Sequence, residues 1–358
     1  MLNRFFQHCR NRALSKRIAL MVSEINNSSE IYRPSNFWKN LNQINSSQLY
    51  KDGYENFKRT LNQNYFNWAP TTFEDNQLKN LLEIWNANRA VDPFMTSIDE
   101  DHEMWNMFGQ NLLENKEKAA IYSFFVGLLW WYASLDDPLG LTNKLREPVI
   151  GNPIPVNFGK NLISQDLANS IIEFNTIFYH LNGFEKKQLV VAEIGAGYGR
   201  LGYVFESALD CKYVIFDIPP ALYISERYLK ESFPNKKIFH FRSFKNFNEI
   251  REELLQSDIA FFTPNQIEFF PKDYFDISIS ISALHEMRSD QIKNFMAKLD
   301  MLTSKIIYLK NWTSWRNEDD QISIDQGEFL LSSSWQSALD RLDRIQNLFT
   351  EKLFLKRV

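Results

Sequence analysis

Leu189-Val190-Val191-Ala192-Glu193-Ile194-Gly195-Ala196-Gly197-Tyr198-Gly199-Arg200 is an apolar run that passes directly into three glycines at alternate positions. The run predicts a buried strand over Leu189–Ile194. Gly195, Gly197 and Gly199 then allow a tight turn whose backbone can approach a ligand with no side chain in the way. Further strand-like runs follow at Tyr213–Phe216, Lys237–Phe241, Phe275–Ser282 and Lys305–Leu309. Helical stretches at Leu201–Leu209, Ala221–Ser232 and Asp290–Leu302 lie between them. Alternation of this kind needs crossover connections, so the fold class expected is α/β with a largely parallel, doubly wound sheet. Such sheets hold ligands beyond the carboxyl ends of their strands. The stretch Trp335–Val358 is expected to supply a last helix and an edge strand over Lys352–Leu355.

Upstream, to about residue 180, helical patterns dominate, with candidates at Asp75–Asn88, Glu114–Leu135 and Ser164–His180, the last opened by Ser164 as N-cap. Glu147–Gly159 (EPVIGNPIPVNFG) interrupts them and reads as an ordered, extended loop. The division expected is a helical N-terminal region over residues 1–183 and an α/β domain over residues 184–358. The 358 residues are 44% hydrophobic and include 30 Phe and 9 Trp, enough for a large core. Against 44 acidic side chains stand 40 basic ones, a net charge of -4, which argues against a nucleic-acid partner. Two cysteines, Cys9 and Cys211, make no disulfide framework, and a reduced, cytoplasmic setting is expected. The five-residue apolar run Ile18–Val22 is too short for a secretory signal, and Ile121–Leu135 falls short of a membrane span, so no integral membrane segment is expected. The basic start, with Arg4, Arg10, Arg12, Lys16 and Arg17, reads either as a solvated helical face or as a peripheral contact with an anionic membrane.

Two cofactor classes use a glycine turn after the first strand. A dinucleotide seats its pyrophosphate on the following helix and wants G-x-G-x-x-G. From Gly195 the sixth position is Arg200, and from Gly197 the match starts two residues late for the strand. Glu193 beside the turn would repel phosphate and attract the ammonium group of a methionine moiety. The pattern therefore resembles motif I of class I S-adenosylmethionine-dependent methyltransferases, with S-adenosylhomocysteine as product. Asp217, ending the next strand beside Ile218, has a carboxylate placed to accept both ribose hydroxyls, as an NAD enzyme would also place one. An NAD(P)-dependent oxidoreductase and a noncatalytic scaffold stay open as alternatives. On the methyltransferase resemblance, Glu193, Gly195, Ala196, Gly197, Tyr198, Gly199, Arg200, Asp217 and Ile218 hold the cofactor, and Ser243 and Phe244 flank its adenine.

The fourth strand runs into Leu284-His285-Glu286-Met287. Methyl transfer to a hydroxyl needs a base, and a histidine at a central strand end suits that task near neutral pH. His285 is expected as that base, with Glu286 orienting it, binding sugar hydroxyls or ligating a divalent ion; no ligand spacing makes a metal site specific.

Arg146-Glu147-Pro148 with Gly151-Asn152-Pro153, then Ile163 to Ser170 (ISQDLANS), the glycine turn, Phe216-Asp217-Ile218-Pro219 and Leu284 to Met287 together resemble a family of sugar O-methyltransferases encoded in bacterial surface-polysaccharide gene clusters. The resemblance covers about residues 140 to 315. It implies a mostly parallel seven-stranded Rossmann-like methyltransferase domain, with the N-terminal region as an acceptor-binding cap. It implies a sugar, nucleotide-sugar or glycan acceptor, and no nucleic acid. It assigns Gln165 to the cofactor, and Glu147, Asn152 and Asn169 to the acceptor, leaving oligomeric state unspecified. Trp312 and Trp315, just after the fifth strand, are expected as stacking platforms for the acceptor because strand ends face the cleft.

Overall fold

The computed structural model describes residues 2–60, 69–88, 96–98, 115–181 and 188–357, with side chains from Leu14 onward except at 52, 60 and 96–98. The side chains of Arg4, Cys9, Arg10 and Arg12 thus lie outside the described residues, as does the start of the Glu114–Leu135 expectation. Three short strands, β1 (Thr96–Ile98), β2 (Val156–Phe158) and β3 (Asn161–Ile163), pair antiparallel in and beside the segment read as a loop. The remaining strands are β4 (Leu189–Ile194), β5 (Cys211–Phe216), β6 (Ile238–Phe239), β7 (Ile259–Phe262), β8 (Phe275–Ile281), β9 (Thr303–Trp312), β10 (Ser314–Asn317), β11 (Ile322–Asp325), β12 (Trp335–Leu342) and β13 (Phe349–Lys356).

Eight of them form one sheet in the order β12-β13-β9-β8-β4-β5-β7-β6. Neighbours from β6 to β9 run parallel, and β13 is antiparallel to both β9 and β12. The chain leaves β4 on one side through β5 and returns on the other at β8, which opens a crevice above the switch point.

The sheet corrects two expectations. It has eight strands rather than seven, because Ile259–Phe262 is a strand inserted between β5 and the short β6. Its four apolar residues are all buried, so no alternation marks it. The C-terminal stretch holds no helix among its described residues: Trp335–Leu342 is the edge strand, and β13 lies inside it. Trp335, Leu339 and Leu342 sit at helical spacing, yet the open hydrogen-bonding edge of β13 recruits them, with a register shift between Ser337 and Leu339. The helices Gln165–Phe178, Arg200–Ala208, Ala221–Ser232 and Ser289–Leu302 lie where their apolar periodicity puts them.

One apolar core joins both regions, since Met21, Leu49 and Phe57 pack in the same cluster as Val191, Tyr213, Ile277 and Leu353. A polar clamp reinforces the join. The buried Lys58 ammonium pairs with Glu147, whose other oxygen accepts from Ser164 Oγ at 2.6 Å. Ser164 in turn caps the Gln165–Phe178 helix through the Leu167 N–H. Arg59 donates to the carbonyls of Asn152 and Pro153 at 2.6 and 3.0 Å. A Cβ at Gly151 would fall 2.4 Å from the Phe57 ring, so only glycine permits this approach. Lys58→Met is expected to destabilise the protein by about 3–5 kcal/mol, because it strands Glu147 as a buried charge. Thermal unfolding reads that loss, and Lys58→Met with Glu147→Gln should recover part of it. Equal loss in the single and double variants would show that the pair is not the source.

Candidate functional site

A cavity of about 180 Å³ lies beyond the carboxyl ends of β4, β5 and β8. Its floor is the glycine turn, with φ of +76° at Gly195, +60° at Gly197 and +86° at Gly199. A Cβ on Gly195 would sit 2.3 Å from the Ala283 Cβ, so the two strand ends close together only with glycine there. The Gly197 N–H donates to Asp217 Oδ2 at 2.8 Å and the Ile218 N–H to Oδ1 at 2.7 Å, which aims the carboxyl group at the turn. Burial pushes that carboxyl up to about 7, and the two N–H bonds offset only part of the shift.

The Gln165–Phe178 helix adds Gln165, Asp166, Asn169 and Glu173 to the same wall. Tyr198 donates to Asp166 Oδ2 at 2.9 Å. Burial raises the Asp166 carboxyl, with Arg200 opposing. Arg200 donates to Ser170 Oγ at 2.7 Å and to both oxygens of Glu173, at 2.6 and 3.3 Å. Lys310 reaches Glu173 at 3.3 Å and Asp343 at 2.8 Å. Burial alone would lower the Lys310 ammonium, but these carboxylates hold it above its ordinary value. Among the described residues, the lining therefore carries Asp166, Glu173, Asp217 and Glu286 against Arg200 and Lys310. Burial holds Asp166, Asp217 and Glu286 toward their neutral forms, and Glu173 and Asp343 pair the two cations, so the described wall keeps no cation for a pyrophosphate.

Of the residues singled out in the sequence, the cavity brings together Gln165, Asn169, Gly195, Gly197, Tyr198, Arg200, Asp217, Ile218 and Glu286. Ala196 and Gly199 belong to the turn without lining it, joined by the Gly199 N–H to the Ala196 carbonyl at 3.0 Å. Glu193 is a correction: it lies buried under the turn, accepts from the Tyr213 hydroxyl at 2.7 Å and is pushed by burial up to about 7. Ser243 and Phe244 are likewise displaced. Ser243 donates to Glu24, and Phe244 packs on Phe262 and Phe269. The reason is β7, which stands between β6 and the cavity, so that Pro264 after β7 lines the wall instead. Glu147 and Asn152 serve the clamp and do not line the cavity.

His285 is the largest correction. It is 0% exposed, with Nδ1 3.4 Å from Asn311 Oδ1 and its ring stacked on Trp312 and edge-on to Trp315. Burial pushes its imidazole down to about 3. Leu284–Glu286 is a 3-10 turn, in which successive side chains point about 120° apart. That rotation sends His285 into the interior and Glu286 to the cavity; Trp312, half-buried at the end of β9, stacks on the imidazole and does not line the cavity. Burial pushes the Glu286 carboxyl up to about 8, against a hydrogen bond from Trp38.

Sequence reasoning missed the roof. Tyr32, Ser35, Trp38, Asn42, Asn45 and Phe57 line the cavity from the N-terminal region. Trp38, Asn42 and Asn45 are at i, i+4 and i+7 of the Asn36–Asp52 helix, a polar stripe at helical spacing that was legible. What holds the helix there was not. Asp320, in the turn between β10 and β11, accepts from the Asn36 and Phe37 N–H groups at 2.8 and 3.1 Å, and Trp315 packs edge-on against Phe37. Arg17 Nη2 donates to both oxygens of Glu226, at 2.8 and 2.9 Å, so this member of the basic start faces the protein. Among the described residues no helix is long and apolar enough to cross a membrane. No group of three His, Cys, Asp or Glu among them could hold a metal ion.

No family model matches the chain, and no curated protein matches it in sequence. Solved structures with which it aligns include the PH0226 protein from Pyrococcus horikoshii OT3, at 12% identity over 54% of this chain and 92% of that one, with a TM-score of 0.38. Magnesium protoporphyrin IX methyltransferase (ChlM) from Synechocystis PCC 6803 with bound SAM aligns at 12% identity over 56% of this chain and 88% of that one, also with a TM-score of 0.38. A SAM-dependent methyltransferase from Aquifex aeolicus aligns at 8% identity over 52% and 89%, with a TM-score of 0.32. These likenesses span about half of the chain.

Proposed function

We propose that the protein is an S-adenosylmethionine-dependent O-methyltransferase acting on a sugar hydroxyl. The observation that carries the reading is the cavity itself: a positive-φ glycine turn and an N–H-pinned Asp217, in a wall with four carboxylates and two cations. A dinucleotide pyrophosphate would lose its water there with both cations already paired, whereas a sulfonium donor brings no phosphate to neutralise. When bound, the donor supplies a methyl carbon whose bond to sulfur breaks toward sulfur as the acceptor oxygen takes it. Asp217 is placed to accept the ribose hydroxyls, and Gln165 and Asn169 to bond the methionine end. Glu286, at the cavity and held by Trp38, is the group to take the hydroxyl proton. Behind it, His285 Nε2 lies 3.8 Å from Glu286 Oε1, and burial keeps that imidazole neutral, so it packs behind the base and does not take the proton. The motifs around Glu147 and Gln165 support a sugar as acceptor and bacterial surface-polysaccharide synthesis as the setting.

Calorimetry tests the donor: S-adenosylhomocysteine should bind and NADH should not. Binding of NADH alone would replace the reading with an oxidoreductase, and binding of neither would favour a scaffold. A screen of labelled methyl transfer onto nucleotide sugars, oligosaccharides, RNA and protein tests the acceptor, and incorporation only into RNA or protein would overturn it. Affinity should also depend on pH. The free Asp217 carboxyl holds its proton below about 7, while ribose hydroxyls favour the carboxylate. Binding then expels a proton, so affinity rises from pH 6 to 8 and weakens below 7 by up to about tenfold per unit. Binding enthalpies in buffers of different ionisation heat measure that proton, and a pH-independent affinity would remove Asp217 from the role.

A further inference from the structure

We propose that the face of the Asn36–Asp52 helix bearing Trp38, Asn42 and Asn45 reads the acceptor, and that the acceptor unit it admits is uncharged and hydroxyl-bearing. The inference rests on the methyl-transfer reading above and narrows it. The helix crosses the cavity. At its start Trp38 bonds Glu286, the group assigned to receive the acceptor proton, and Ser35 Oγ donates to the Glu286 carbonyl at 3.3 Å. Beyond its end, Phe57 packs on Tyr198 of the glycine turn, with ring centroids 5.3 Å apart. Asn42 and Asn45 lie between these anchors and line the same cavity, half-buried.

The chemistry of this roof is specific. A carboxamide offers one acceptor oxygen and two N–H donors without charge, which matches a hydroxyl that both donates and accepts. Gln165, Asn169, Gln291 and Gln346 add further carboxamides to the lining. Cations for an anionic acceptor are already committed. Arg200 and Lys310 are the cations of the described lining, and both are held by carboxylates, Arg200 by Glu173 and Lys310 by Glu173 and Asp343. A phosphate or carboxylate on the entering unit would lose its water among Asp166, Glu173 and Glu286 with no cation of its own. Charged parts of a larger acceptor, such as a diphosphate link, therefore stay outside the cavity. A hydroxyl is also the nucleophile that needs the base at Glu286.

The test uses the full-length protein, labelled S-adenosylmethionine and a panel of methyl hexopyranosides, each beside its uronate, its 6-phosphate and its 2-amino counterpart. Transfer is expected to the oxygen of at least one neutral member, with kcat/KM for its two anionic counterparts at least about a hundredfold lower. Asn42→Leu and Asn45→Leu should each raise KM for that member about tenfold, the loss of one or two hydrogen bonds, and leave S-adenosylhomocysteine affinity within twofold. Asn42→Ser and Asn45→Ser stand in if a leucine variant fails to fold. Preference for an anionic member, methylation of the amine nitrogen, or no transfer to any member overturns the inference when S-adenosylhomocysteine still binds. An unchanged KM in the variants removes the helix from acceptor recognition. Failure of the wild type to bind S-adenosylhomocysteine is a separate outcome, and it defeats the methyl-transfer reading on which the inference stands.

Discussion

Glu286→Gln should lower kcat by about 10²–10⁴-fold, the usual contribution of a positioned base, while S-adenosylhomocysteine affinity stays within a few-fold. Glutamine keeps the shape of the side chain and the contact with Trp38 but cannot take a proton. The wild-type rate should rise with pH through about 8, because burial holds the Glu286 carboxyl protonated below that value and a base must be ionised to act. In the glutamine variant that limb of the profile should vanish. His285→Asn should cost less, since the imidazole touches the cavity only through Glu286, and it should shift the pH limb rather than remove it. If Glu286→Gln retains near-normal turnover while His285→Asn abolishes it, the base assignment reverts to the histidine and the cavity wall must open to expose it.

Gly195→Ala should abolish measurable S-adenosylhomocysteine binding and lower the melting temperature. Two costs add at this position. A non-glycine residue at φ +76° costs about 1–2 kcal/mol. The new Cβ, 2.3 Å from the Ala283 Cβ, forces the ends of β4 and β8 apart at a further cost of about 1–3 kcal/mol. Ala283→Gly removes the opposing atom, so the double variant should recover the packing cost and keep only the dihedral one. Partial recovery of both stability and affinity in the double variant is the expected signature. Full affinity in Gly195→Ala would mean that the donor is seated elsewhere.

Much of this architecture was legible before any coordinates. The strand Leu189–Ile194 and the helix Ala221–Ser232 have the bounds their apolar patterns predict, because local periodicity and burial agree there. Gly195 and Asp217 were legible because turn geometry and a carboxylate at a strand end are local demands. Ile259–Phe262 was not, since four buried residues carry no period, and missing it placed Ser243 and Phe244 one strand too close to the cavity. Trp335–Leu342 was misread because its helical spacing is overridden by pairing with β13.

Sequence by itself determined that a glycine turn and an acidic strand end meet over a parallel sheet, since each depends on residues a few positions apart. Tertiary structure alone decided which neighbour of a pair faces the ligand and which residues roof the site. His285 and Glu286 are adjacent in the chain, yet a 3-10 turn sends one into the aromatic interior beside Trp312 and the other into the cavity. Asp320 holds the Asn36–Asp52 helix over that cavity from more than 280 residues away in sequence, and contacts at that separation exist only once packing has brought the elements together.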